Sequence, residues 1–235
     1  MQLERILQKH GFGTRKACRS LIRHERVAIK GVVCSDPFAE MDTEGLVFNV
    51  DGVDWPYAEF ASVMLHKPAG YECSRKPQHH PSVLELLPVQ LRERDVQPIG
   101  RLDEDTTGLL LITSDGQLNH QLSSAKRKVP KVYLATTKHP LDQAQIDQLL
   151  TGVLLNDEPE PIAAAACEIV GEHLLRLTLT SGKYHQVKRM VAAVGNRVEA
   201  LHREAVGELS LPDDLKPGGW RWLSTVDLKK LGFLP

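Results

Sequence analysis

Three acidic side chains stand side by side at Asp103, Glu104 and Asp105, between glycines at 100 and 108 and just ahead of the apolar run Leu109-Leu110-Leu111-Ile112. A carboxylate displayed on a loop that a buried strand holds rigid can act as a nucleophile, a general base or a metal ligand. The same residues would also make an acidic surface turn capping nearby amides, and their spacing does not choose among the three acids. A second concentration of charge, Lys126, Arg127, Lys128 and Lys131, has no acid between residues 120 and 141. It suits either phosphate contact beside a cleft or an exposed loop before Pro130. Other chemistries lack their residues. His79-His80 are adjacent in a polar loop and His120, His185 and His202 are isolated, with no metal-ligand spacing. Neither glycine-rich nucleotide motif occurs. Cys18, Cys34, Cys73 and Cys167 form no Cys-x-x-Cys pair, which fits small apolar core residues in a reducing compartment.

The elements that position these groups fall into two segments. Leu3, Ile6 and Leu7 share one helical face, and Gly11 and Gly13 stop that helix. Thr14 is placed to cap a second helix with Ala17, Cys18, Leu21 and Ile22 as its apolar stripe, flanked by Arg15, Lys16, Arg19 and Arg23. Val27–Ile29 and Val32-Val33 read as short strands around Lys30-Gly31. Residues 40–62 suggest one short strand followed by a linker, which sets the boundaries at 1–58 and 59–235. In the longer segment, β-rich runs (63–65, 109–113, 132–135, 174–180) alternate with helical patterns at 141–150 and 185–194, the mark of an α+β domain with a mixed, mostly antiparallel sheet. Trp220 and Trp222 read as core anchors closing that domain.

Charge separates the same segments. The chain of 235 residues has 29 basic and 30 acidic groups, a net of −1. Residues 1–31 hold eight basic and two acidic side chains, or +6, which leaves −7 for the remainder. Such asymmetry points to a polyanion partner for the basic part or, equally, to a solvated basic helix face. A hydrophobic fraction of 42% and a charged fraction of 25% exclude disordered, collagenous and coiled-coil chains. No apolar run approaches the ~18 residues of a membrane span, and the first residues lack a signal-peptide pattern, so a cytoplasmic location is expected.

Two families are resembled. Leu3-Glu4-Arg5-Ile6-Leu7, Gly11-Phe12-Gly13-Thr14-Arg15-Lys16-Ala17 and Arg26-Val27-Ala28-Ile29-Lys30-Gly31 resemble the S4 RNA-binding module, with Thr14 where Ser is common and Lys30 where Asn is common. The longer segment resembles the RsuA group of pseudouridine synthases in four ordered motifs. These are Lys67-Pro68-x-Gly70, Gly100-Arg101-Leu102-Asp103 with Thr107-Gly108-Leu109-Leu110-Leu111, Lys131-x-Tyr133, and Gly182-Lys183-Tyr184-His185-Gln186-Val187-Lys188-Arg189.

The resemblance implies a small S4-like RNA-binding domain joined to a pseudouridine synthase domain that works without cofactor or metal, and a monomer is expected because no repeat or zipper is visible in the sequence. It makes Asp103 the nucleophile, Tyr133 the active-site tyrosine and Lys188 the basic partner, although Arg189 also suits that part. A cation beside Asp103 would lower its pKa and keep it ionised. Gln186 and Lys188 share a face on a strand but diverge on a helix. Tyr133 is suited to stack on an extruded base while its hydroxyl mediates proton transfer. Arg101 would share the face of Asp103 in an extended segment and hold a phosphate. Arg15, Lys16, Arg19, Lys131, Gln186 and Arg189 complete the expected RNA contacts. The N-terminal unit and His185–Met190 best fit members that modify 16S, small-subunit ribosomal RNA, and the expected partner is that RNA within a small-subunit assembly intermediate. A 23S target and a catalytically inactive ribosome assembly factor are the alternatives.

Overall fold

The structure is a computed structural model and describes residues 1–233. The chain divides into two compact units: residues 1–61 with 87–96, and residues 62–86 with 97 onward.

The first unit packs α1 (Leu3–Lys9) and α2 (Arg15–Arg23) with a four-stranded antiparallel sheet of order β2-β1-β3-β4. Leu3, Ile6 and Leu7 are fully buried, as their spacing predicts. Gly11 ends α1 with φ +81°, and a Cβ there would lie 2.0 Å from the Gln90 carbonyl oxygen, so no other residue fits without moving backbone. Thr14 caps α2, its hydroxyl accepting from the Ala17 amide at 3.3 Å. Cys18 and Ile22 form the buried stripe, but Ala17 is exposed and Leu21 only half-buried, so the stripe is narrower than expected. Strands β1 (Val27–Ile29) and β2 (Val32–Val33) turn through Lys30-Gly31 as expected.

Residues 40–62 differ from the expectation of a single strand and linker. They contain a second hairpin, β3 (Val47–Val50) and β4 (Val53–Pro56), closed by Asp51 at φ +53° and Gly52 at φ +87°. Two successive positive φ values suit the two-residue turn whose twist matches the strands, and Asp-Gly is its usual sequence. The short α3 (Val89–Arg92) belongs to this unit, and nearby Arg94 donates to the Ala58 carbonyl at 2.6 Å. His10 is almost fully buried against Phe48 and Tyr57, its Nδ1 2.8 Å from the Ile6 carbonyl and its Nε2 accepting from the Ala58 amide. Burial, helped by the charge of Arg94, pushes its pKa down to about 4, so it is neutral at physiological pH.

The second unit is built on a mixed sheet of nine strands. The main path β13-β5-β7-β11-β8-β10-β9 comprises β13 (Trp220–Trp222), β5 (Ser62–Lys67), β7 (Thr107–Thr113), β11 (Val198–Val206), β8 (Lys131–Thr137), β10 (Leu174–Leu179) and β9 (Ala166–Gly171). Two short strands, β6 (Gln97–Ile99) and β12 (Leu209–Ser210), pair with β7 and β11. Every strand pairing of this sheet is antiparallel except β7 with β11. Strand β7 is buried from Gly108 to Thr113, on both faces, which is why that stretch reads as a continuous apolar run rather than an alternating one. The helices are α4 (Gly116–Ser123), α5 (Gln143–Thr151), α6 (Gln186–Ala193) and α7 (Thr225–Lys230). Met64, Leu109, Leu111, Leu118, Leu122 and Leu231 form one buried cluster, which seats α4 against the centre of the sheet.

Trp220 and Trp222 are not core anchors. They lie half-buried on the edge strand β13, their rings edge-to-face at 6.3 Å. Cys18 and Cys73 are buried as expected, while Cys34 and Cys167 are half-buried, and all four are free thiols. Among the described residues, no helix is long and apolar enough to cross a membrane.

Candidate active site

The acidic loop joins β6 to β7, and buried bonds hold it along its length. Lys67, the last residue of β5, is fully buried, and its ammonium donates to the carbonyl oxygens of Thr106 (2.8 Å), Glu104 (3.0 Å) and Pro68 (3.1 Å). The Gly70 amide donates to the Glu104 carbonyl at 2.8 Å. Arg203 of β11, 1% exposed, donates through Nε to the Leu109 carbonyl (2.8 Å) and through Nη2 to that of Gly100 (3.0 Å). The Leu102 amide donates to Cys73 Sγ at 3.4 Å, and the Thr106 amide to the Asp103 carbonyl at 3.2 Å. Gly108 explains its place in the motif: at φ +107° it passes so close to β11 that a Cβ would lie 2.3 Å from the Arg203 carbonyl oxygen. The backbone of the loop is thus anchored at Gly100, Leu102, Glu104 and Thr106, and the Asp103 side chain, 28% exposed, projects into an adjoining cavity.

That cavity, of about 830 Å³, is lined by Arg101, Asp103, Lys131, Tyr133, His185 and Lys188 among others. Opposite the acidic loop, α6 begins after His185, which adopts the left-handed conformation (φ +46°). Lys188 Nζ lies 2.7 and 2.8 Å from the two carboxylate oxygens of Asp105 and 3.5 Å from Asp103 Oδ2. Burial opposes the charge of Lys188, yet its hydrogen bond and charge interaction with Asp105, then Asp103, hold its pKa above the ordinary value. Burial likewise raises Asp105, and the hydrogen bond and charge of Lys188 outweigh it, so the carboxyl stays below its usual range. The cation therefore bridges both aspartates.

Because residues 186–193 are helical, successive side chains fan out by about 100°, and the open question between two cations has a geometric answer. Lys188 faces the acids; Arg189 turns away, pairing with Asp157 and donating to the Tyr184 carbonyl at 3.1 Å. Gln186 borders the cavity but is buried, and its amide is engaged with Ser181 (2.8 Å) and the Lys183 backbone (2.9 Å). It shapes the segment from within instead of presenting a free amide. Tyr133, on β8, is 9% exposed at the cavity. Lys131 is half-buried and donates to the Val129 carbonyl at 3.1 Å; burial, then the charge of Arg203, holds its pKa below normal. Arg101 is exposed at the cavity and has no ion pair among the described residues. Lys126, Arg127 and Lys128 form an exposed turn.

Two contributors have no sequence signal of their own, Arg203 inside an ordinary strand pattern and Cys73, while His185 stands in the fourth motif without its contact being readable there: its Nε2 lies 3.3 Å from Asp103 Oδ1. Only the fold brings them to the loop. In the first unit, Arg15 and Lys16 are exposed on α2, whereas the guanidinium of Arg19 is committed to the buried Glu4 and stacks on Phe38. Arg19 is thus a structural ion pair, not a free cation. Among the described residues, no group of three or more His, Cys, Asp or Glu side chains is arranged to hold a metal ion.

Asp103 is thus a partly exposed aspartate on a rigid turn, with Lys188 in contact at 3.5 Å and Tyr133 bordering the same cavity. The family model for RNA pseudouridylate synthase matches residues 61–193, and the chain belongs to that family. Ribosomal small subunit pseudouridine synthase A of Yersinia pestis is 38% identical, covering 99% of this chain and 98% of its own length. The protein of the same name from Haemophilus influenzae is 34% identical over 98% of this chain and 99% of its own. A crystal structure described as pseudouridylate synthase superposes with a TM-score of 0.70 at 33% identity, covering 98% of this chain and 99% of that one.

Proposed function

We propose that this enzyme converts a uridine of 16S, small-subunit ribosomal RNA to pseudouridine with Asp103 as the nucleophile, and that its first unit is an S4-type RNA-binding domain. The observation that carries the reading is the isolation of Asp103. Of the three acids, it alone combines a half-buried carboxylate, contact with Lys188 and a place on the cavity wall near Tyr133. The full-length similarity to ribosomal small subunit pseudouridine synthase A supplies the substrate class.

The target nucleotide must leave its stack, because the glycosidic bond is otherwise out of reach. Asp103 attacks either the ribose C1′ or the uracil C6. The C1′–N1 bond breaks, the uracil turns, and a C1′–C5 bond forms. C5 then loses its proton, N1 carries one, and the aspartate is released as a carboxylate. The product is an isomer of the substrate, so atoms and electrons balance without a co-reactant. Lys188 keeps negative charge on the acid pair favourable. Tyr133 stacks on the base and takes part in removing the C5 proton. Arg101 and Lys131 are placed for the phosphates of the flipped nucleotide, and Arg15 and Lys16 for more distant RNA backbone.

Pseudouridine mapping of ribosomal RNA from cells lacking the gene tests the substrate. One mark missing from 16S RNA is the expected outcome; a loss confined to 23S RNA would overturn the target.

A further inference from the structure

Tyr184 is 71% exposed, the highest value among the exposed large apolar and aromatic side chains of the described residues. An aromatic ring left in water forgoes the burial that normally fixes its place, so its orientation needs another cause. Here the cause is His185, on which the phenol ring stacks at 3.8 Å with 20° between the planes. The imidazole is itself held by its left-handed backbone (φ +46°) and by Asp103, whose Oδ1 is 3.3 Å from Nε2. Arg189 fixes the Tyr184 carbonyl at 3.1 Å. Both residues border the cavity. One face of the tyrosine is covered by the histidine, and the other is presented to solvent at the mouth of the site.

We propose that Tyr184 is a substrate-binding residue: its free face stacks on a nucleobase of the substrate RNA that flanks the flipped uridine, and His185 is the positioning residue that aims it. The inference rests on the reading of the chain as an RNA-modifying enzyme. The chemistry identifies a nucleobase because every base offers a π-face, and stacking on an exposed aromatic is the standard means of holding unpaired nucleotides. A flanking base fits better than the target itself, since Tyr133 already occupies the cavity wall where the flipped uracil would lie. The stack also joins the two events: a base seated on Tyr184 presses on the ring that touches Asp103.

The test compares Tyr184→Ala, Tyr184→Phe and the wild type in steady-state pseudouridine formation on a 16S RNA transcript, with fluorescence-anisotropy binding of the same RNA. A stacked base predicts that Tyr184→Ala raises KM and Kd together by about ten- to a hundredfold, with a smaller change in kcat. Tyr184→Phe, which keeps the ring, restores both constants, and melting temperatures stay equal because the side chain is exposed. His185→Ala should raise KM in the same direction while Tyr184 remains intact. Unchanged KM and Kd in Tyr184→Ala, or a phenylalanine variant as poor as the alanine one, would overturn the proposal. If the wild type binds the transcript but forms no pseudouridine, the 16S reading fails while the binding comparison still decides the role of Tyr184.

Discussion

Asp103 and Lys188 face each other across one cavity, yet the chain holds them by different means. The acidic loop is fixed from inside: Lys67 and Arg203, both buried, donate to the backbone carbonyls of Pro68, Gly100, Glu104, Thr106 and Leu109. The segment carrying Lys188 is seated by the buried Gln186, Val187, Met190 and Val191 and is tied at its surface by ion pairs. Arg189 pairs with Asp157 and Lys183 with Glu158 (2.9 Å), while Lys188 itself reaches Asp105. Buried cations on carbonyls are shielded from salt, whereas exposed ion pairs contribute little and are screened. The difference teaches that the acidic loop is held by bonds that salt does not reach, whereas the surface ties of the facing segment are open to screening.

Gly108→Ala should break the rigid half most severely. The new Cβ would meet the Arg203 backbone at 2.3–2.9 Å at a φ of +107°, and overpacking with strain together costs about 3 kcal/mol or more; urea denaturation would show it. Lys67→Met comes next. It removes a donor from three carbonyls at the loop, of which only that of Glu104 keeps another, the Gly70 amide, for a loss of about 3 kcal/mol and a fall in kcat of at least about a hundredfold, and the deficit should be the same in 50 mM and 500 mM salt. Asp157→Asn, on the other half, should lower stability by at most about 1 kcal/mol, a deficit that vanishes in high salt. Equal salt sensitivity in Lys67→Met and Asp157→Asn would remove the distinction.

The smallest effect concerns pH. The Asp105 carboxyl lies below its ordinary 3.8, so its stabilising contribution is complete above that value and is lost as pH falls through the lowered folded pKa. Lys188 lies above its ordinary 10.5, so its contribution is complete below that value and is lost as pH rises through the raised one. Between about pH 5 and 9 the pair does not titrate. The difference in melting temperature between wild type and Asp105→Asn should therefore stay constant across that window.

The sequence made one half of this site far more legible than the other. The acids, their flanking glycines and the buried run after them form a local pattern, and local patterns survive in a linear reading. So do Thr14 as a cap and the two helices near 141–150 and 185–194. Asp51-Gly52 was a readable hairpin signal, though acids scattered about it obscure the strands on either side. Arg203 could not be found this way, since it reaches Gly100 only through the parallel pairing of β11 with β7, 103 residues away in sequence. The choice between Lys188 and Arg189 likewise depended on whether the segment was strand or helix, and Arg19 looked like a free cation until the fold placed Glu4 beside it. Residues 87–96 join the first unit across a chain break in sequence order that no composition shift marks.

The central claim is that the rigid loop exists to present one carboxylate to the RNA. Asp103→Asn preserves shape and hydrogen-bonding capacity while removing the carboxylate proposed as the nucleophile. Incubated with a 16S RNA transcript, the variant should bind with the affinity of the wild type and form no pseudouridine. Pseudouridine formation at a rate near that of the wild type would contradict the account.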